Sequence, residues 1–145
     1  MQAPREGKMW EQTMTLELRL LAYSIAVFFI VVLIQGAAGI RAQGGVVMAG
    51  ARDNLKPPST FQARTKRLVD NYRENLWFFA PLVLIAAIAN VSNEWTVLGA
   101  RLFFYSRVAH AIIYLAGWPI VRSFAWLAGL IGCGMIFLAL LGILA

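Results

Sequence analysis

The chain has 145 residues, of which 60% are hydrophobic and 14% are charged, and its formal net charge is +6. Its mean hydropathy of +0.68 excludes an ordinary soluble domain of this length, and no segment is long enough for a second core. The single cysteine, Cys133, excludes an internal disulfide and a cysteine-based metal cage, and the lone His110 argues against a histidine-rich metal site. We therefore expect a membrane protein without a metal or a nucleic-acid partner, whose positive charge marks loops beside anionic lipid.

Four apolar runs follow a polar N-terminal tail of residues 1–14. They cover about 18–40, 76–91, 96–115 and 123–145, and a membrane-spanning helix needs about 20 residues. The second run is short, but residues 63–75 contain no Pro or Gly. The second helix is therefore predicted from about Ser59 to Asn90, with Ser59 or Thr60 as its N-cap and a bend at Pro81. The prediction for residues 15–145 is an all-α, integral membrane four-helix bundle with four transmembrane helices.

The connections between these helices predict their orientation. Loop one, about residues 41–58, contains Gly44, Gly45, Gly50 and two prolines, which predict irregular structure. Loops two and three are short and predict antiparallel neighbours. The basic residues cluster around loop one, and Arg122 follows loop three. The positive-inside rule therefore places loops one and three of this multi-pass protein in the cytosol and both termini outside.

The third helix carries polar residues inside an apolar run. Arg107, His110 and Tyr114 share one helix face, and a cation at the centre of a membrane helix costs roughly 2.5–3.5 kcal/mol on insertion scales. Such a cost suggests a partner, a water-filled pocket or a function. Three structural alternatives remain open: an ion pair of Arg107 with Glu74 or Asp70, a hydrogen-bonded core histidine at His110, and an interfacial aromatic residue at Tyr114.

Polar residues of the second and fourth helices are predicted at the same membrane depth. Those of the second helix recur on one face and are Arg64, Arg67, Asp70, Asn71 and Glu74. Arg122 and Ser123 open the fourth helix, where free N–H groups and the helix dipole favour an anion. These groups suit a small zwitterion with more than one carboxylate, while an apolar reactant could enter from the bilayer. The alternative is a solvated helix end with internal ion pairs.

The order and spacing of three polar motifs resemble those of the MAPEG family (membrane-associated proteins in eicosanoid and glutathione metabolism). The motifs are Arg67-x-x-x-Asn71-x-x-Glu74, Arg107-Val-Ala-His110-x-x-x-Tyr114-Leu115 and Arg122-Ser123. The resemblance is closest to the branch of microsomal prostaglandin E synthase and its bacterial relatives. It implies a homotrimer, in a bacterial inner membrane, that binds glutathione as a cosubstrate in clefts between subunits on the cytosolic side. The implied glutathione-binding residues are Arg41, Arg67, Asn71, Glu74, His110 and Tyr114, and the implied catalytic residues are Arg122 and Ser123.

The leading functional hypothesis is a glutathione-dependent transferase or peroxidase that acts on lipophilic electrophiles. Asp70 and Trp126 depart from the branch, which has arginine and tyrosine there, so we do not expect prostaglandin synthesis. The departures keep open a non-catalytic membrane protein that binds lipid or scaffolds a partner. A transporter is disfavoured, because its polar residues would extend through the whole membrane thickness. Small residues at Gly36, Gly39, Ala128, Gly132 and Gly134 favour close helix contacts, including those of a trimer.

Overall fold

The computed structural model describes residues 14–144. Within this range the helices are α1 (Leu16–Gln43), α2 (Gly45–Ala49), α3 (Thr60–Ile88), α4 (Glu94–Ala116) and α5 (Pro119–Leu140). No strand occurs among these residues, so the all-α prediction is confirmed. The polar tail predicted for residues 1–14 lies outside the described residues except for Met14.

Local signals in the sequence account for the ends of the long helices. The side chain of Thr15 accepts a hydrogen bond from the Leu18 N–H at the start of α1. Ser59, one of the two predicted N-caps, does the same for Gln62 at the start of α3. Asn93 forms a capping box with Thr96 that begins α4. At the other end of α4, Gly117 ends the helix with φ of 88°, a left-handed conformation that favours glycine.

Two predicted boundaries are wrong. Loop one was expected to lack regular structure, but residues Gly45–Ala49 form the short helix α2, whose interior has no Gly or Pro. The fourth helix was expected to reach Ala145, but α5 ends at Leu140 with a turn that places Gly142 at φ 71°. The helix assignment of α3 continues through Pro81, and the bend expected there stays a prediction.

Two helices are long and apolar enough to cross a membrane, among the residues described. They are α1 and the segment Ile120–Leu140 of α5. Large apolar side chains on several helices face outward, and Trp77 is 73% exposed. Crossing by α3 and α4, which carry more charge, stays a prediction.

The helices pack with their loops at opposite ends. At one end, the Nε2 of Gln43 in α1 donates to the Lys56 carbonyl in loop one and to Oε1 of Gln62 in α3. At the other end, hydroxyls of Ser92 and Thr96 donate to Oε1 of Glu17 in α1. The end near loops one and three is called the loop-one end below, and the opposite end is called the loop-two end.

Helices α4 and α5 approach each other closely at Gly132. A Cβ added at Gly132 would lie 2.5 Å from the Gly99 carbonyl oxygen and 2.9 Å from the Phe103 amide nitrogen. Gly132 was expected to favour contacts that include those of a trimer, but here it brings two helices of one chain together. By contrast, a Cβ at Gly36 or Gly134 would meet no atom within 4 Å in the part of the chain that the structure covers.

Aromatic packing in the core joins α3 to its neighbours. The rings of Phe79 and Phe103 stack with centroids 3.8 Å apart. Nearer the loop-one end, the hydroxyl of fully buried Tyr72 donates to the Ser24 carbonyl of α1 at 3.0 Å. These contacts hold α3 against α4 and α1. The polar residues of α3 and α4 are therefore on helices whose relative positions are fixed by core packing.

Candidate functional site

A polar cavity of about 210 Å³ lies toward the loop-one end, where α3, α4 and α5 meet. It is called the Arg122 cavity here. Its lining residues are Asn71, His110, Tyr114, Arg122, Ser123 and Trp126. The first five are predicted site residues from three different helices, so the structure brings most of the predicted constellation together.

Tyr114 lies between a histidine and an arginine in this cavity. Its ring centroid is 5.3 Å from that of His110, and the Cζ of Arg122 lies 5.0 Å from the Tyr114 centroid. A guanidinium over an aromatic face is attracted by the negative charge of that face. Tyr114 is 4% exposed, so its fixed ring can hold the arginine in position.

Arg122 and Ser123 stand in the first turns of α5, which begins at Pro119. Proline is suited to the first helical position, because its missing N–H would have no partner there. The N-cap, Trp118, gives this turn no side-chain hydrogen bond. Free N–H groups, a helix dipole and a guanidinium therefore occur together, and each favours an anion.

A second cavity of about 150 Å³ shares two walls with the first, Tyr114 and Arg122. Its other lining residues are Arg64, Arg67, Gly117 and Trp118. Nη1 of Arg64 donates to the Leu115 carbonyl at 3.2 Å, where a cation is stabilised by the C-terminal end of the α4 dipole. Arg67 is exposed, and it joins Arg64 and Arg122 in a strongly positive recess.

The side-chain amide nitrogen of Asn71 makes a hydrogen bond within α3. This Nδ2 atom donates to the Arg67 carbonyl one turn earlier at 2.9 Å. The Asn71 side chain is half-buried and lines the Arg122 cavity. The Asn71 amide therefore contributes a polar group to the cavity wall.

Within one chain, Arg41 and Glu74 line neither the Arg122 cavity nor the neighbouring cavity. Arg41 lines a different cavity of about 550 Å³, with Ser59 and Phe61. Glu74 is exposed on α3 and lines neither the Arg122 cavity nor its neighbour in the described range.

The contacts of Arg107 differ from the ion pair with Glu74 or Asp70 that was one of the structural alternatives. Its side chain is fully buried, and Nη2 donates to the carbonyl oxygens of Ala125 at 2.8 Å and Trp126 at 3.1 Å. The ion pair with Asp70 is wrong, because Asp70 binds the exposed Lys66 and Arg73 on its own helix surface. No ion pair with Glu74 forms among residues 14–144 either.

Arg107 instead joins α4 to α5 beneath the Arg122 cavity. A Cβ at Gly129 would lie 2.7 Å from Nη2 of Arg107, so the guanidinium passes close to the α5 backbone at this glycine. Nε and Nη1 of Arg107 and Nδ1 of His110 are buried without a hydrogen-bond partner in the described part of the chain. The side chain that links the helices therefore lies beside a histidine with a free ring nitrogen.

Besides Gly117, two lining residues of these cavities were not predicted as members of the site. Trp126 was noted only as a departure from the family branch, and Trp118 only as part of loop three. Trp126 follows Arg122 by four residues, so helical spacing places both on one face. That spacing is the signal that could have identified Trp126. No comparable signal marks Trp118, because its position depends on how the α4–α5 turn packs against α3.

Comparison with known proteins agrees with the sequence motifs. The model of the MAPEG family matches residues 20–142, which include every residue that lines the Arg122 cavity. No curated protein and no solved structure matches the chain.

Proposed function

Because the chain belongs to the MAPEG family, we propose that this membrane protein binds glutathione in the Arg122 cavity and directs its sulfur at lipophilic electrophiles. The family includes glutathione transferases, and the all-α structure with two apolar helices of membrane-spanning length supports a membrane location. We further propose that residues 15–145 form a four-helix transmembrane domain in a bacterial inner membrane, with loops one and three in the cytosol.

The observation that carries this proposal is the convergence of three helices on one cavity. Arg122 and Ser123 supply an anion-binding helix start, His110 and Tyr114 a polar aromatic wall, and Asn71 a side-chain amide. Glutathione has two carboxylates, an ammonium group and a thiol. The neighbouring recess with Arg64 and Arg67 suits the carboxylates, because guanidinium groups bind carboxylates through paired hydrogen bonds.

The chemistry begins with ionisation of the thiol. A guanidinium and the positive end of a helix dipole both favour the thiolate over the thiol. The Ser123 hydroxyl can donate a hydrogen bond to the same sulfur. In a transferase reaction the thiolate forms a bond to an electrophilic carbon. The electron pair displaced from that carbon leaves with a leaving group or takes up a proton.

The peroxidase alternative uses the same ionised sulfur. The thiolate attacks the terminal oxygen of a lipid hydroperoxide, and the oxygen–oxygen bond breaks. The lipid is released as an alcohol after protonation, and the sulfur is oxidised to a sulfenic acid. A second glutathione then converts this sulfenic acid to a disulfide and water.

A homotrimer completes the proposed site. Small-molecule pockets are usually about 300–1,000 Å³, and the two adjoining cavities, of about 210 and 150 Å³, together lie only near the lower end of that range. Arg41 and Glu74 stand away from these cavities in one chain. A cleft between subunits would let these two residues contribute from the neighbouring copy, as the family resemblance implies.

Calorimetric titration of the detergent-purified protein with glutathione tests the proposal. We expect binding at up to millimolar glutathione and a loss of about tenfold or more in Arg122→Ala, because a charge-assisted contact contributes roughly 1.5–3 kcal/mol. Arg122→Lys, which keeps the charge but not the paired donors, should lie between them. An absence of heat at millimolar glutathione in the folded wild type would contradict glutathione binding.

A non-catalytic member of the family is the second candidate, and Trp126 supports it. The indole lines the cavity where the related branch has a tyrosine, so no hydroxyl reaches the sulfur from that position. A conjugation assay with several electrophiles separates the candidates. Turnover that disappears in Arg122→Ala would favour the enzyme, whereas glutathione binding without turnover would favour the non-catalytic protein.

A further inference from the structure

A different polar cavity lies at the loop-two end, where α1 begins and α3 ends. Its volume is about 180 Å³, and it is called the Glu17 cavity here. The polar lining residues are Thr15, Glu17, Asn90 and Ser92, and apolar residues of α1, α3 and loop two complete the wall. None of these residues lines the Arg122 cavity, so this cavity is separate from the proposed glutathione site.

Glu17 has one carboxylate oxygen in use and one without a partner. Its side chain is only 3% exposed. Oε1 accepts hydrogen bonds from the hydroxyls of Thr96 at 2.6 Å and Ser92 at 2.9 Å. Oε2 is buried and has no hydrogen-bond partner in the range 14–144. A buried carboxylate oxygen without a donor is costly, so a ligand that brings a donor would be stabilised here.

Helix ends of both signs surround Glu17, which lies in the first turn of α1, where the positive end of the helix dipole favours the ionised carboxylate. The last turn of α3 lines the cavity through Ala86 and Ala87, with Asn90 just beyond the helix, and the C-terminal end of a helix carries partial negative charge. Asn90 adopts φ of 54° and turns the chain away from the helix. No Lys or Arg lines this cavity among the described residues. A carboxylate and a helix C-terminus together favour a positively charged guest.

We propose that the Glu17 cavity binds a primary ammonium group, supplied by the headgroup of an aminophospholipid. The ammonium donates to Oε2 of Glu17, and its short alkyl stem contacts apolar lining residues such as Leu18 and Val83. Leu16 is the first residue of a helix long enough to span a membrane, so the cavity lies at headgroup depth in the proposed orientation. This site does not require glutathione binding at the other end.

The test compares lipid headgroups on the full chain in detergent. Short-chain phosphatidylethanolamine and phosphatidylcholine with identical acyl chains are titrated, and bound lipid is counted by native mass spectrometry. We expect about tenfold tighter binding of the ethanolamine lipid, since a charged hydrogen bond contributes on this scale. Glu17→Gln should abolish the preference while retaining an oxygen acceptor for Ser92 and Thr96.

Glu94→Gln is the matched control. Glu94 is an exposed carboxylate in the first turn of α4, also at the loop-two end. The preference should persist in Glu94→Gln if the buried carboxylate is responsible. Equal affinity of the wild type for both lipids, or a preference that survives Glu17→Gln, would overturn the proposal.

Wild-type measurements keep the proposal testable if Glu17→Gln does not fold. Affinity should decrease as the ammonium is methylated stepwise, with the largest loss when the last N–H is removed, and a flat series would overturn the proposal. Free ethanolamine distinguishes the source of the amine. Competition by ethanolamine shows that the ammonium suffices, whereas its failure to compete assigns binding to the whole lipid headgroup. Displacement of the lipid by potassium at the same concentration would indicate a metal cation site and overturn the ammonium assignment.

Discussion

The guanidinium of Arg122 lies over the ring of Tyr114, with Cζ 5.0 Å from the ring centroid. The two residues come from the start of α5 and the end of α4, on either side of the short turn at Gly117. Each lines both cavities of the candidate site. This pair therefore couples the position of the proposed catalytic cation to an aromatic residue of another helix.

Removal of the Tyr114 ring should weaken glutathione binding. A cation–π contact contributes about 0.5–2 kcal/mol, so we expect Tyr114→Leu to raise the Kd about two- to thirtyfold. Tyr114→Phe is the matched control, because it retains the ring and removes only the hydroxyl. Calorimetry with glutathione measures both variants. Equal losses in both would assign the effect to the hydroxyl and contradict the proposed role of the ring.

The thiolate itself provides a separate prediction. Arg122 and the start of α5 should increase the ionised fraction of bound glutathione, because both favour negative charge. The ultraviolet absorbance of the thiolate, followed during a pH titration of the complex, should appear at lower pH than for free glutathione. In Arg122→Ala the titration should shift back toward that of free glutathione. Identical curves for bound and free glutathione would exclude thiolate stabilisation.

The sequence predicts those features that depend on local patterns. Apolar runs, caps such as Ser59, and helical spacing suffice for the four long helices and for the shared face of His110 and Tyr114. The tertiary partners of buried charged residues could not be predicted in this way. Arg107 binds carbonyl oxygens of α5, and Glu17 binds hydroxyls of residues 75 and 79 positions away. No local spacing encodes contacts that depend on how helices pack.

The close α4–α5 contact predicts that adding one methyl group at Gly132 lowers the stability of the protein. Gly132→Ala would place its Cβ 2.5 Å from the Gly99 carbonyl, and overpacking of this kind typically costs about 1–3 kcal/mol. We expect a lower Tm in detergent. Gly134→Ala is the control, since an added Cβ there meets no described atom within 4 Å. A Tm as high in Gly132→Ala as in Gly134→Ala would show that the helices can separate without cost.

The proposed orientation can be checked with single cysteines that react with a membrane-impermeant maleimide. Asn54→Cys lies in loop one and Glu94→Cys at the loop-two end, and both native residues are exposed. The native Cys133 is buried and should react slowly, which the unmodified chain measures as background. In intact cells only Glu94→Cys should be labelled, because the positive-inside rule predicts a cytosolic location for loop one. In inverted membrane vesicles the pattern should reverse. Labelling of Asn54→Cys in intact cells would place the Arg122 cavity on the outer side, where cytosolic glutathione could not reach it.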